Sequence, residues 1–283
     1  MEDNIQKVIK EYEINKNNIK EYNSYINHVR QYDNYIFKEV IDLEKFENET
    51  KWLKKLMEFE FPSPKFVYAY DNKTIIMEKI DGNPIKDDEA KEHLYNIGKL
   101  IASLHNLPVE HNKFWDKTIY SLYGELKDEV KNVMDKDIFE KSTNFLAKEI
   151  ANLKKCKTAI IHRDVRPENV MYSNGKYYLI DLESLCIGDI EYDFTRMFNL
   201  FNEKEMYTYE DFKNFIDGYK SINELELSAD KWQLYNKVYS FRIYSKMLLG
   251  KINRDERYMK YLENVLMAED DKITKWIKRY NSN

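Results

Sequence analysis

Residues 160–184 read IIHRDVRPENVMYSNGKYYLIDLES. Two β-prone apolar runs, Ala159-Ile160-Ile161 and Tyr177-Tyr178-Leu179-Ile180, each lead into a carboxylate, Asp164 after the first and Asp181 after the second. The turn signal Ser173-Asn174-Gly175 lies between β-prone runs and predicts a hairpin. Such a hairpin holds Asp164, Asn169 and Asp181 near one point. An Asn and an Asp offer hard oxygen donors of the kind Mg²⁺ takes alongside phosphates and water. A second carboxylate outside the metal's ligand set is free to accept a proton. The bland alternative for these residues is a surface Asp followed by an Asp satisfied within the hairpin.

Strands precede this stretch and helices surround it. Ile5, Val8, Ile9 and Tyr12 share one helical face in residues 1–13. Tyr25-Ile26, His28–Tyr32 and Tyr35–Lys38 are β-prone, with a turn at Asp33-Asn34. Phe46, Leu53 and Leu56 recur at helical spacing within Leu43–Phe59, which Pro62 and Pro64 bring to an end. Phe66–Tyr70 and Thr74–Ile80 form a second hairpin around Asp71-Asn72-Lys73. Asp81-Gly82-Asn83-Pro84 breaks the pattern and marks the division into residues 1–80 and 81–283. Beyond it Leu94, Ile97, Leu100, Ile101 and Leu104 make one apolar stripe over Asp88–Leu104. A loop is expected around Phe114-Trp115, helix in two pieces over Leu126–Leu153, and helix again over Phe194–Asn283. The expected class is α+β.

Composition bounds the function. A chain of 283 residues that is 43% hydrophobic and 34% charged buries a sizeable core. Its net charge of −5 argues against nucleic acid as the main partner. Two cysteines, Cys156 and Cys186, make neither a disulfide framework nor a C-x-x-C metal site, and they point to a reducing compartment, the cytoplasm. The charged start MEDNIQKVIKEYE is no signal peptide, and no apolar run is long enough to span a membrane.

His162-Arg163-Asp164-Val165-Arg166-Pro167-Glu168-Asn169 resembles the catalytic loop of protein kinases, H-R-D-L-x-x-x-N. Ile180-Asp181-Leu182-Glu183 stands where those enzymes carry D-F-G. It is more similar to the I-D-[FWL]-E run of the aminoglycoside phosphotransferase and choline kinase families. Gly188–Arg196, GDIEYDFTR, resembles the G-D-P-x-x-D-L-A segment of the antibiotic kinases. The resemblance runs from Tyr22 to Arg196. It implies a two-lobed protein-kinase-like fold, with a β-rich nucleotide-binding lobe over 1–80 and a mainly helical catalytic and substrate-binding lobe over 81–283. It also implies Mg²⁺-dependent transfer of the γ-phosphate of ATP or GTP to a hydroxyl of a small molecule.

Roles follow from the resemblance, position by position. Asp164 is the expected base, Asn169 and Asp181 the Mg²⁺ ligands, and Arg166 a contact to the γ-phosphate. Lys38, closing the strand Tyr35-Ile36-Phe37, matches the lysine that grips the α- and β-phosphates. Its expected partner is Glu49, on the core-facing side of the next helix, with Glu47 as the competitor. The phosphate loop departs from the family pattern: Glu21–Asn27 holds no glycine, and Ser24 takes its place as donor. The Glu78 carbonyl and the Ile80 N–H are the expected partners of the base. Asp193 either caps the following helix or braces the catalytic loop. His162 and His105 are core histidines, and Arg163 stands where many small-molecule kinases carry glycine.

The acceptor is expected to be a small cationic molecule. Carboxylates at Asp189, Glu191, Glu203, Glu205, Asp255, Glu256, Glu269, Asp270 and Asp271 follow the motifs, with aromatics at Trp232, Tyr235, Tyr239, Phe241 and Tyr244. Carboxylates attract polycations and aromatic faces hold quaternary ammonium groups. An aminoglycoside-like antibiotic is favoured and a choline- or ethanolamine-type alcohol is the alternative. A protein kinase fits less well, since only twelve positions separate Asp181 from Asp193 and no A-P-E follows. A non-catalytic nucleotide-binding protein is disfavoured by the presence of Lys38, Asp164 and Asp181 together.

Overall fold

Turn chemistry fixes the N-terminal sheet. The computed structural model describes residues 10–12, 14, 19–22, 27–109, 115–153 and 156–282. Five antiparallel strands, β1 (Ile19–Tyr22), β2 (His28–Tyr32), β3 (Tyr35–Glu39), β4 (Phe66–Tyr70) and β5 (Thr74–Glu78), lie in the order β1-β2-β3-β5-β4. The β4–β5 turn carries Asp71 and Asn72 at φ of 50° and 52°, the paired positive values of a type I′ turn, which matches strand twist. In β5 the alternation is lost because Thr74 to Met77 are all buried, as suits an inner strand. Lys38 sits in register between Val29 and Ile75.

A helix, α1 (Leu43–Glu58), packs on this sheet. Asp42 caps it by accepting from the Lys45 N–H at 3.1 Å. Phe46, Glu49, Trp52, Leu53 and Leu56 form its buried face, so a carboxylate lies among apolar residues, facing the sheet.

After β6 (Asn83–Pro84) the chain is mainly helical: α2 (Ala90–His105), α3 (Trp115–Val130) and α4 (Lys136–Ala151) precede the central stretch. That stretch forms β7 (Thr158–Ile161), a 3₁₀ turn at Pro167–Asn169, β8 (Val170–Ser173), β9 (Lys176–Leu179), a second 3₁₀ turn at Leu182–Ser184, and β10 (Cys186–Asp189). The predicted hairpin is β8–β9, turning at Asn174 and Gly175 with φ of 48° and 81°. Helices α5 (Ile190–Asp193), α6 (Thr195–Glu203), α7 (Tyr209–Lys220), α8 (Ala229–Leu248), α9 (Glu256–Met267) and α10 (Lys272–Asn281) complete the fold. Phe194, Phe198, Phe201, Phe212 and Phe215 are buried together in its core. Helices α2 and α7 meet backbone to backbone. A Cβ on Gly98 would lie 2.2 Å from the Phe215 carbonyl oxygen, and one on Gly218 2.0 Å from that of Tyr95.

Two expectations change, and one strand was not anticipated. The helix after the Phe114-Trp115 region begins at Trp115 and not near Leu126, because Ile119, Tyr123, Leu126 and Val130 already make one buried stripe. Residues 186–189 form a strand that pairs with β7. The expected break at 81–84 includes a two-residue strand, β6, paired with β8. The Tyr25-Ile26 run and most of the helix expected over residues 1–13 lie outside the described residues.

Candidate active site

The floor of the site comes from the hairpin and the strands beside it. His162, fully buried, carries its Nε2 2.9 Å from the Ile180 carbonyl, so the residue before Asp181 is tied to the start of the H-R-D run. Asp193, also fully buried, accepts the backbone N–H groups of His162 at 2.9 Å and Arg163 at 2.5 Å. His105 Nε2 lies 3.0 Å from the same carboxylate, and its Nδ1 lies 2.8 Å from the Tyr219 hydroxyl. Asp193 therefore braces the loop bearing Asp164, the second of its two expected roles. Arg163 pays for this turn with a φ of 70°, a left-handed conformation that glycine adopts without steric cost. Asp181 is likewise left-handed at φ 60°.

One cleft of 710 Å³ brings the predicted residues together: Lys38, Glu49, Glu78, Ile80, Asp164, Arg166, Asn169 and Asp181 all line it. Lys38, 7% exposed, has its Nζ 2.8 Å from a Glu49 oxygen and 2.8 Å from Asp181 Oδ1. Glu49 is buried and Glu47 exposed, which settles the partner of Lys38 as Glu49. Burial works against the Lys38 charge, but Glu49 and Asp181 outweigh it and hold the ammonium above its ordinary range. Burial also opposes ionisation of Asp181, and the nearby Lys38 overcomes it, so that carboxyl sits below its usual value.

Asp164 is gripped at both oxygens. Its Oδ2 accepts from Asn169 Nδ2 at 2.9 Å and lies 3.4 Å from Arg166 Nε, while Oδ1 accepts from Arg196 Nε at 2.9 Å. The Asn169 amide nitrogen also donates to the Asp164 carbonyl at 2.8 Å. With its nitrogen committed twice, Asn169 keeps its amide oxygen for another partner. Glu78 donates its N–H to the Lys65 carbonyl at 2.9 Å, and the Ile80 carbonyl accepts from Gly82 at 3.0 Å. Ser24 lies outside the described residues.

Glu183 and Arg196 join the site without having been singled out. Glu183 Oε2 accepts from Asn27 Nδ2 at 3.0 Å and lies 3.7 Å from Lys38, while Oε1 pairs with Lys45. Asn48 donates to the Glu183 and Leu185 carbonyls, both at 2.9 Å. The signal for Glu183 was its place in the I-D-L-E run; Arg196 merely closes the GDIEYDFTR segment.

The segments expected to face the acceptor are only partly open. Asp189 is fully buried, 2.9 Å from Lys231 and 2.7 Å from the Tyr235 hydroxyl; Glu191 lies 2.8 Å from Lys231. Asp271 caps α10 and accepts from the Trp232 indole at 3.0 Å. Trp232, Tyr235, Phe241 and Tyr244 are core side chains, at most 4% exposed. Of the expected carboxylates, Glu203, Glu205 and Asp255 line a second cleft of 550 Å³, together with Tyr258, Lys204 and Arg257. Lys204 is already paired with Asp87.

A five-stranded antiparallel sheet with a helix packed on it, followed by a mainly helical part that carries the β8–β9 hairpin, is a protein-kinase-like fold. Within that fold the chain belongs to the phosphotransferase enzyme family, whose model matches residues 34–224. A sequence search of curated proteins gave no match. Among solved structures it is similar to a choline kinase from Streptococcus pneumoniae (19% identity, 99% of each chain, TM-score 0.69). It is also similar to a thermostable mutant of an aminoglycoside phosphotransferase in ternary complex with ADP and hygromycin B (11% identity, 96% of this chain and 97% of that one, TM-score 0.71). A third is an amicoumacin kinase in complex with AMP-PNP and Ca²⁺ (14% identity, 92% of each chain, TM-score 0.66). At these identities the likeness is one of fold. Among the described residues no helix is long and apolar enough to cross a membrane.

Proposed function

We propose that this enzyme moves the γ-phosphate of ATP or GTP to a hydroxyl of a small cationic molecule, an aminoglycoside-like antibiotic before a choline-type alcohol, in the cytoplasm. The observation that carries this reading is the line Glu49–Lys38–Asp181, held by contacts of 2.8 Å, in the same cleft as Asp164. The lobes divide at residue 80. In support, the strands up to Glu78 pair within one sheet, whereas β6 pairs with β8 beyond the division.

Asn169 and Asp181 fit Mg²⁺ by their chemistry: an amide oxygen whose nitrogen is already committed, and a carboxylate with one oxygen on Lys38 and one left over. The ion, when bound, neutralises charge on the β- and γ-phosphates. Lys38 adds a fixed positive charge for the phosphates in a partly dry cleft. Asp164 accepts the proton of the acceptor hydroxyl, and Arg166, on the same side of the cleft, meets the transferring phosphoryl group. The base rests on the Glu78 carbonyl and the Ile80 N–H. Ser24 remains the proposed donor from the phosphate loop.

The second cleft supports a cationic acceptor, since Glu203, Glu205 and Asp255 stand against Arg257 and an already paired Lys204. A quaternary-ammonium site built from aromatic faces has less support, because Trp232, Tyr235, Phe241 and Tyr244 are buried. The test is phosphoryl transfer from γ-labelled ATP and GTP to a panel of aminoglycosides, amino-sugar alcohols, choline and ethanolamine. Transfer to an aminoglycoside that weakens as salt rises is expected, because exposed charges are screened over about 8–10 Å. Preference for a neutral or anionic sugar without a salt effect would overturn the cationic acceptor.

A further inference from the structure

Arg196 lies in the first turn of α6, three residues past the Asp193 that braces the catalytic loop. Its guanidinium meets Asp164 Oδ1 through Nε at 2.9 Å and the Tyr239 hydroxyl through Nη1, with its carbon 5.1 Å from the centre of the Tyr239 ring. The Tyr239 hydroxyl is 3.3 Å from that of Tyr258, and Tyr258 stacks on Tyr261 at 5.8 Å with the planes 11° apart. Tyr261 returns to α6, donating to Asn199 Oδ1 at 3.0 Å and accepting from Asn202 Nδ2 at 3.1 Å. These contacts close a ring through α6, α8, α9 and back to α6. An aspartate met at Oδ2 alone, by Asn169 at 2.9 Å and Arg166 at 3.4 Å, keeps freedom to turn about its side-chain bonds; a donor at the other oxygen removes it. A guanidinium suits this task because its donors sit in a rigid plane, so one can hold the carboxylate while another is itself held.

We infer that Arg196 is a positioning residue for Asp164, with Tyr239 fixing the guanidinium in turn. The role rests on the reading of Asp164 as the base. The rival role for the same contact is a latch, in which Arg196 covers Asp164 and must leave before reaction. The two predict opposite signs: loss of Arg196 slows a positioned base and frees a latched one.

The experiment compares the full-length wild type with Arg196→Ala, Arg196→Lys and Tyr239→Phe. It follows phosphate release from Mg-ATP with water as acceptor, and solves crystal structures of the wild type and Arg196→Ala. Arg196→Ala should lower kcat by about ten- to a hundredfold, the scale at which misplacement of a reacting group is felt, with KM for Mg-ATP unchanged. Tyr239→Phe should lower it less, and Arg196→Lys should recover part of the loss. In the Arg196→Ala crystal the Asp164 carboxylate should occupy more than one rotamer while the Lys38–Asp181 contact persists. An unchanged or faster kcat, a parallel rise in KM, or an Asp164 that keeps its single position overturns the inference. Should the wild type release no phosphate and label no acceptor, the phosphotransfer reading falls, and the Asp164 rotamer in the two crystals still decides whether Arg196 positions it.

Discussion

Lys38 Nζ and Asp181 Oδ1 lie 2.8 Å apart, joining a strand of the N-terminal sheet to the residue that follows the β8–β9 hairpin. The contact spans 143 positions of sequence. It sets two groups of opposite charge where phosphates and a metal would compete for both.

Lys38→Ala removes the shared cation. Glu49 is then left buried without its 2.8 Å partner, and an unpaired buried charge costs about 3–5 kcal/mol. Both the urea midpoint and the affinity for Mg-ATP should fall. Lys38→Ala with Glu49→Gln should recover stability and not affinity, and isothermal titration separates the two. Glu47→Ala should change neither.

Asp181→Ala should weaken Mg²⁺-dependent nucleotide binding and turnover together, read as loss of the Mg-ATP thermal shift. A variant that titrates Mg²⁺ normally would move the metal site elsewhere.

Asp164→Asn keeps the shape and removes the proposed proton acceptor. Turnover should fall about 10²- to 10⁴-fold with nucleotide affinity little changed. Steady-state kinetics with a labelled acceptor checks it, and near-normal turnover would refute the assignment.

Gly218→Ala tests the helix crossing. The added methyl would sit 2.0 Å from the Tyr95 carbonyl oxygen, so α2 and α7 must part, at a cost of about 1–3 kcal/mol. Chemical denaturation should show the loss; an unchanged midpoint would mean that the crossing yields freely.

Lys237 gives the pH prediction. Its ammonium is buried, donating to the Leu266 and Ala268 carbonyls at 2.8 and 2.7 Å, and burial brings its pKa down to about 8 from an ordinary 10.5. Between those values the unfolded chain binds more protons at this site, so its contribution to stability rises with pH. The difference in stability between wild type and Lys237→Met, measured from pH 7 to 10.5, should carry that slope; a flat difference would contradict it.

The catalytic-loop half of the site was legible because its residues lie close in sequence and its turn residues are specific. Asn174-Gly175 announced the hairpin, and helical spacing put Glu49 on the core-facing side while leaving Glu47 as a competitor, which the burial of Glu49 and exposure of Glu47 decide. Which of the later carboxylates are exposed was not legible, for a physical reason. Asp189, Asp255 and Asp271 each accept a nearby backbone N–H as helix N-caps, and a capping carboxylate looks the same in sequence as one facing a ligand. Arg196 was missed because its partners, Asp164 and Tyr239, are 32 and 43 positions away. Periodicity reports which face of a helix is apolar and says nothing of which polar residue reaches across to another.

The clasp at Glu183 has a mechanical consequence. Asn27, Lys38, Lys45 and Asn48 on the sheet side converge on Glu183 and the residues beside it. The covalent connection at 79–82 is a second anchor, stitched down where β6 pairs with β8 and where Gly82 leaves no room for a side chain, its Cβ position being 2.4 Å from the Tyr172 carbonyl oxygen. Two anchors define a line, and the low-cost motion of one part against the other is rotation about it. Asp181, two residues from Glu183, shares Lys38 with it, at 2.8 and 3.7 Å, so a rotation about that line would open the mouth of the cleft before it parted the Lys38–Asp181 contact.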